Sequence, residues 1–236
     1  MGKVCVITFD LDNTLWDVGV VIRRAEQQMR SWLDVEAPEY SERFDQTAIF
    51  KLRSQLVAAN PQLRHDLSAL REEILFAAIS QCGYKPAVAR SLARTAFQKF
   101  FEARHDVVYF TGALEVLAEL AGNYRLGALT NGNADVAKLG LDRYFSFAYS
   151  AADVGASKPA PAMFHAALEH CGAHPGESIH IGDHLIDDIQ GAAAVGMHTI
   201  WVNHNAEVLP ADSQAPTGTV QNLQELPECV AEIFNG

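Results

Sequence analysis

From Thr111-Gly112 onward, segments of strand character alternate with segments of helical character, and this alternation restricts the fold more than any other feature of the chain. Helically spaced apolar residues at 113–120 lead to a strand-like run at 126–129, a short helical stretch and a second run at 147–150. A helix at 161–171, a run at 178–181, a helix at 185–195 and a run at 199–202 follow. Strands that alternate with helices predict an α/β fold, a parallel sheet covered on both faces. Residues 4–9 belong to the same sheet: they form a short β-branched apolar run that ends abruptly in Asp10-Leu11-Asp12, as a buried strand delivering carboxylates at its end would.

Between that first strand and the alternating region the character changes. Residues 18–104 carry four helical patterns: Ile22, Ala25, Met29, Trp32 and Leu33; Ile49, Leu52 and Leu56; Leu67, Leu70, Ile74, Ala77 and Ala78; Val88, Leu92, Ala96 and Phe100. The expected organisation is a sheet-containing core of residues 1–16 and 109–236, interrupted by a helical insertion at 17–108. Residues 210–218 read as a loop before a last short strand and a C-terminal helix.

A formal charge of −11, with 18 scattered Lys and Arg residues, argues against a nucleic-acid or anionic-membrane partner. Any anionic substrate must then be held by a locally positive site. The start MGKVCVITFD lacks the pattern of a signal peptide, and no 18-residue apolar run appears, so a cytoplasmic protein is expected, monomeric or homodimeric. Cys5, Cys82, Cys171 and Cys229 are far apart and form no CxxC pair, which predicts free thiols.

In open parallel sheets ligands bind beyond the carboxyl ends of the strands. Four such ends carry suggestive residues: Asp10, Asp12 and Thr14; Thr130-Asn131-Gly132; Ser157-Lys158-Pro159; and Gly182-Asp183 with Asp187-Asp188. Asp10 and Asp12 share one side of an extended segment, and their crowding calls for a cation. Oxygen ligands from Asp10, Asp12 and the distant Asp183 suit a hard octahedral ion, which favours Mg2+. Lys158, Thr130 and the amides of Asn131 and Gly132 could bind the oxygens of a phosphoryl group. The parts suffice for an aspartyl-phosphate intermediate: a carboxylate nucleophile, a second carboxylate as acid and base, a metal and a cationic clamp. Each piece alone is commonplace, but all four fall in order at successive strand ends.

These stretches, F-D-L-D-N-T-L at 9–15, L-T-N-G at 129–132, S-K-P at 157–159 and G-D-H-L-I-D-D at 182–188, resemble the four motifs of the haloacid dehalogenase superfamily. The resemblance spans nearly the whole chain and implies a Rossmann-like core with a helical cap inserted after the first motif. It implies Asp10 as nucleophile, Asp12 as acid and base, Thr130 and Lys158 as phosphoryl binders, Asp183 as a magnesium ligand and Asp187 and Asp188 as supporting residues. It also implies that Asp12 meets the metal through its backbone carbonyl. Dehalogenases similar to this chain lack an acid two residues after the nucleophile, since a halide leaves without a proton; Asp12 therefore points to phosphate esters. His184 and Asp187 depart from the commonest pattern, where serine and asparagine are frequent, and leave open which of Asp187 and Asp188 lies nearer the metal.

The stretches F-D-L-D-N-T-L-W-D, V-I-R-R-A-E, R-H-D-L and T-N-G-N-A-D are further similar to a bacterial subgroup that hydrolyses flavin mononucleotide and 5-amino-6-(5-phospho-D-ribitylamino)uracil. Against this stand plainer readings. Arg23 and Arg24 fit a solvated helix face, Phe97, Phe100 and Phe101 fit the core of the insertion, and Trp16 fits a pocket mouth or a packed core equally. The histidines show no helical metal pair and receive no catalytic role. The expected partner is a small phosphorylated metabolite; a sugar phosphomutase and a non-catalytic binding module are the rival functions.

Overall fold

The computed structural model describes residues 6–235, with side chains described through Ile233. Val4 and Cys5 of the first expected strand lie outside the described residues. The chain divides into two compact units: one takes in the chain up to Asp17 and from Val108 onward, the other is Val18–Val107.

The first unit holds six parallel strands, β1 (Val6–Phe9), β2 (Arg125–Thr130), β3 (Phe145–Ser150), β4 (Ser178–Gly182), β5 (His198–Val202) and β6 (Gly218–Val220), in the order β3-β2-β1-β4-β5-β6. This is the Rossmann-like α/β sheet that the alternation predicts. All four residues of β1 are buried, as a central strand covered on both faces requires; three are apolar and the fourth, Thr8, is hydrogen-bonded within the sheet. The order reverses between β1 and β4, and the crevice of a doubly wound sheet opens at such a reversal. Phe9 pairs with both Ala128 and Ile181, and the Asp10 amide donates to the Ile181 carbonyl at 2.8 Å. The ends of β1, β2 and β4 therefore reach one level, which sets Asp10, Thr130 and Asp183 side by side.

Two expected helices differ. The short helix between β2 and β3 is replaced by hydrogen-bonded turns, in which Asp135 accepts from the amides of Ala137 and Lys138, and Gly140 takes a φ of 66°. The helix expected over 185–195 begins instead as a π-helical turn, Leu185–Gln190, and becomes α-helical only over Gly191–Ala194.

The second unit contains the helices α1 (Val18–Glu36), α2 (Pro38–Arg43), α3 (Gln46–Ala59), α4 (Leu67–Gln81) and α5 (Pro86–Arg104). Four of these match the four sequence patterns, and α2 is a short addition that starts on Pro38. The buried face of α5 is Ala89, Ala93, Ala96, Phe100 and Ala103, one position on from the Val88 and Leu92 of the pattern; Val88 is exposed. Alanines suit that face because α1 and α4 both pack closely on it. Asp66, in the R-H-D-L stretch, is the N-cap of α4 and accepts from the Ala69 amide at 2.8 Å. Phe100 is core, and Phe97 stacks on Phe101 at 5.5 Å. Arg24 pairs with Asp106 across exposed surface at 3.2 Å. Cys82, Cys171 and Cys229 are free thiols.

Candidate active site

Lys158 follows β3 and its loop, yet its side chain is 3% exposed. Its ammonium donates to Asp10 Oδ1 at 2.8 Å, Asp188 Oδ1 at 2.6 Å and the Leu129 carbonyl at 2.6 Å. Those three acceptors use all three of its protons. Burial works against the charge, but the two carboxylates outweigh it and raise the lysine pKa. Asp10 is held well above the usual carboxylate range by burial, although Lys158 pulls it down, with Asp188 and Asp183 adding repulsion. Burial alone would raise Asp188 too, but Lys158 and His180 reverse that and hold it low.

Asp183 leaves the end of β4 and is pushed up to about 6 by burial and by Asp188. Thr14 Oγ1 lies 3.4 Å from Asp10 Oδ2 and 3.1 Å from Asp183 Oδ1, and so sits between the two carboxylates. The carboxylates of Asp10, Asp183 and Asp188 converge, with one oxygen of each within 4.8 Å of the others. One ammonium does not neutralise three acids at such range. The surplus charge and the all-oxygen donor set fit a hard divalent cation.

The π-helical turn explains the placement of the last pair of acids. Both the Asp188 and the Ile189 amides reach back to the His184 carbonyl, at 2.9 and 3.3 Å, so the turn takes one residue more than an α-turn. Asp188 is thereby turned inward and is 1% exposed. Asp187 points elsewhere and accepts from Asn131 Nδ2 at 3.2 Å. His184 caps the turn, its Nδ1 accepting from the Asp187 amide at 3.0 Å, a task a serine hydroxyl can also perform. Of the two acids, the structure brings Asp188 into the cluster.

Asp12 stands apart from that cluster. Its Oδ1 accepts from the indole of Trp16 at 2.9 Å. Trp16 is fully buried, edge-on to Tyr109 at 5.8 Å, so its role in this unit is packing and orientation of Asp12. Thr130 Oγ1 accepts from the Gly132 amide at 2.9 Å, which leaves its own proton free to turn outward. The Asn131 side chain is occupied: Oδ1 accepts from the Lys158 amide at 2.7 Å and Nδ2 donates to the Lys158 carbonyl at 3.0 Å. It ties the loops after β2 and β3 together. Sequence reasoning passed over His180, a buried residue of β4 within 3.2 Å of Asp188 Oδ1, because an I-H-I run in a strand carries no mark of what lies eight positions further on.

A doubly wound sheet with carboxylates and one buried ammonium gathered at its reversal point defines an enzyme built for group transfer. Residues 5–196 match the haloacid dehalogenase-like hydrolase family, and the chain belongs to it. The chain is 32% identical over 202 residues to the 5-amino-6-(5-phospho-D-ribitylamino)uracil phosphatase YigB of Escherichia coli (strain K12), covering 86% of this chain and 84% of that one. It is also 32% identical over 163 residues to a phosphoserine phosphatase of Thermus thermophilus, covering 66% of this chain and 63% of that one. The crystal structure of a 2-haloacid dehalogenase from Pseudomonas syringae pv. Tomato DC3000 matches with a TM-score of 0.94 and 40% identity, over 98% of this chain and 99% of that one.

Proposed function

We propose that the chain is a Mg2+-dependent phosphatase that moves the phosphoryl group of a small phosphate monoester onto Asp10 and then to water. The observation that carries this reading is the convergence of Asp10, Asp183 and Asp188 around one point, with Lys158 bonded to two of them and Asp12 held nearby but separate. A carboxylate pair two residues apart in different surroundings separates the nucleophile from the proton carrier.

In the first step a carboxylate oxygen of Asp10 forms a bond to phosphorus as the ester oxygen leaves. Asp12 supplies the proton that the leaving alkoxide needs. In the second step the now ionised Asp12 takes a proton from a water as its oxygen attacks the phosphorus, the Asp10–phosphorus bond breaks, and phosphate leaves with the Asp10 carboxylate restored. Thr130, the Asn131 backbone amide and Lys158, which exchanges one of its present acceptors for the substrate, hold the equatorial oxygens. Asp10, Asp183 and the Asp12 carbonyl would hold the Mg2+, with Asp188 in support. When bound, the ion would spread the developing negative charge. Residues 17–108 are in this reading the cap domain.

The substrate class follows from likeness to the Escherichia coli relative and the subgroup motifs: flavin mononucleotide or 5-amino-6-(5-phospho-D-ribitylamino)uracil. A second reading, hydrolytic dehalogenation of a 2-haloacid, is favoured by the 40% identical solved structure. Asp12 weighs against it, because a halide needs no proton donor. One panel separates them: phosphate release from the two named esters, phosphoserine and sugar phosphates, and chloride release from 2-chloropropionate, each with Mg2+ or excess chelator. Mg2+-dependent phosphate release supports the proposal. Chloride release without phosphate release would replace it, and a phosphosugar isomer in place of free phosphate would indicate a mutase.

Two predictions concern the ion. Asp10 and Asp183 have raised pKa values, so the metal-free fold gains from them at low pH and loses that gain as pH rises through about 6 for Asp183. A bound cation removes the penalty, so the rise in Tm on adding Mg2+ should be clearly larger at pH 8 than at pH 5.5. An equal rise at both values would mean that the ion binds elsewhere. A Cβ on Gly182 would stand 2.3 Å from Asp188 Oδ2. Gly182→Ala should therefore displace Asp188 and raise the Mg2+ concentration for half-maximal thermal protection by about tenfold or more. No change would make Asp188 dispensable for the ion.

A further inference from the structure

His180 has no exposed surface, yet it occupies a position of β4 flanked by Ile179 and Ile181, where an aliphatic side chain would cost less to bury. Every polar atom of its ring has a partner. Nε2 lies 3.2 Å from Asp188 Oδ1, Nδ1 lies 2.8 Å from Thr8 Oγ1 of β1, and the ring stands edge-on to Phe164 at 5.1 Å. An ionised carboxylate only accepts, so the proton of a neutral ring belongs on Nε2. Nδ1 then accepts, and the Thr8 hydroxyl is its donor; the other acceptor open to Thr8, the Ile179 carbonyl, is further away at 3.3 Å. The chain of donors runs one way, from Thr8 through His180 to Asp188.

We propose that His180 is a positioning residue that, set in one tautomer by Thr8, fixes the carboxylate of Asp188 beside those of Asp10 and Asp183. This rests on the metal reading above. Asp188 has three protein donors: Lys158 and His180 on Oδ1, and the His184 amide on Oδ2 at 3.0 Å. Lys158 also serves Asp10 and, in the proposed reaction, the phosphoryl oxygens, so its hold on Asp188 changes as the reaction proceeds. The His184 amide belongs to the turn that carries Asp188 and moves with it. His180 is the side-chain donor to Asp188 that is anchored in the sheet and has no second duty at the reacting atoms. Its part is to keep the carboxylate still while the charges around it change.

The test uses the full chain and measures protection against thermal unfolding as Mg2+ is added, alongside kcat and KM for the best ester. His180→Leu removes the donor; His180→Gln keeps an amide proton near the position of Nε2; Thr8→Val removes the tautomer-setting hydroxyl at nearly constant shape. The expected result is a half-saturating Mg2+ concentration about 10–100-fold higher in His180→Leu. His180→Gln should restore it to within a few-fold of wild type, Thr8→Val should fall between, and kcat should drop more than KM changes. A lowered Tm with unchanged half-saturation in His180→Leu and Thr8→Val would reduce His180 to packing and overturn the proposal. Should His180→Leu fail to fold, Thr8→Val decides alone on the same criterion. A wild type that Mg2+ does not protect would end the metal reading and this inference together. Protection of wild type and variants alike would end only this one.

Discussion

Asp10→Asn is expected to lower phosphate release by on the order of 10⁴-fold or more while the protein stays folded, because an amide oxygen cannot serve as the phosphoryl acceptor. The neighbours tolerate the exchange. Lys158 keeps Asp188 and the Leu129 carbonyl as acceptors, and an asparagine oxygen can stand where Asp10 Oδ1 stood. The carboxylate being replaced is one that burial and two neighbouring acids make costly to ionise. The metal-free variant should therefore melt no lower than wild type at pH 8. Initial rates at saturating Mg2+ and a circular-dichroism melt measure both halves. Substantial residual turnover in a folded variant would remove Asp10 from the role of nucleophile.

Lys158→Met should be the most damaging single change to stability in this site, at about 3–5 kcal/mol near neutral pH. Methionine fills much of the volume but leaves Asp10 and Asp188 buried without a counter-charge and the Leu129 carbonyl without its donor. Asp188 is held low against its burial first by Lys158, so without the lysine it too will seek a proton. The penalty should shrink as pH falls from 8 to 5 and the two acids neutralise. The lysine's own pKa is raised, so its contribution to the wild type is fully present throughout that range. Urea unfolding at both pH values tests the sign. A loss below about 1 kcal/mol at pH 8, or one that does not diminish towards pH 5, would show that the pair of acids is compensated by other means.

The strands and the charged residues at their ends were legible because both follow from local pattern. The run that stops at Asp10 and the Gly182-Asp183 that ends β4 need no distant information to be read. Elements whose shape depends on one hydrogen bond were not legible in the same way. The turn at Leu185–Gln190 differs from an α-helix by a single longer reach to the His184 carbonyl, which leaves the apolar spacing almost unchanged. That reach is also what turns Asp188 inward and Asp187 away, a difference that no local pattern in the sequence carries. Over its first turns the buried face of α5 lies one position on from the pattern, at Ala89 and Ala93 in place of Val88 and Leu92, because alanine counts little in a hydrophobic pattern, yet wins when two helices need to come close. His180 escaped notice for the opposite reason: its surroundings in sequence are those of an ordinary core strand, and its partners come from β1 and from the far side of a turn.

The loop tie made by Asn131 has a consequence for how the protein ages. An asparagine followed by glycine is the pair most prone to lose ammonia, as the next backbone nitrogen attacks the side-chain carbonyl carbon and closes a succinimide ring. Here the Gly132 amide is engaged by Thr130 Oγ1, while both ends of the Asn131 amide are fastened to Lys158, and Nδ2 to Asp187 as well. Nucleophile and target are held in place by separate partners, so the native fold shields Asn131 from this damage. Once the loop opens, the shield is gone, and the product would set a new carboxylate against Asp187. Protein kept warm near its unfolding temperature should thus gain one dalton at Asn131 and fail to recover full activity on cooling, whereas protein stored folded should do neither.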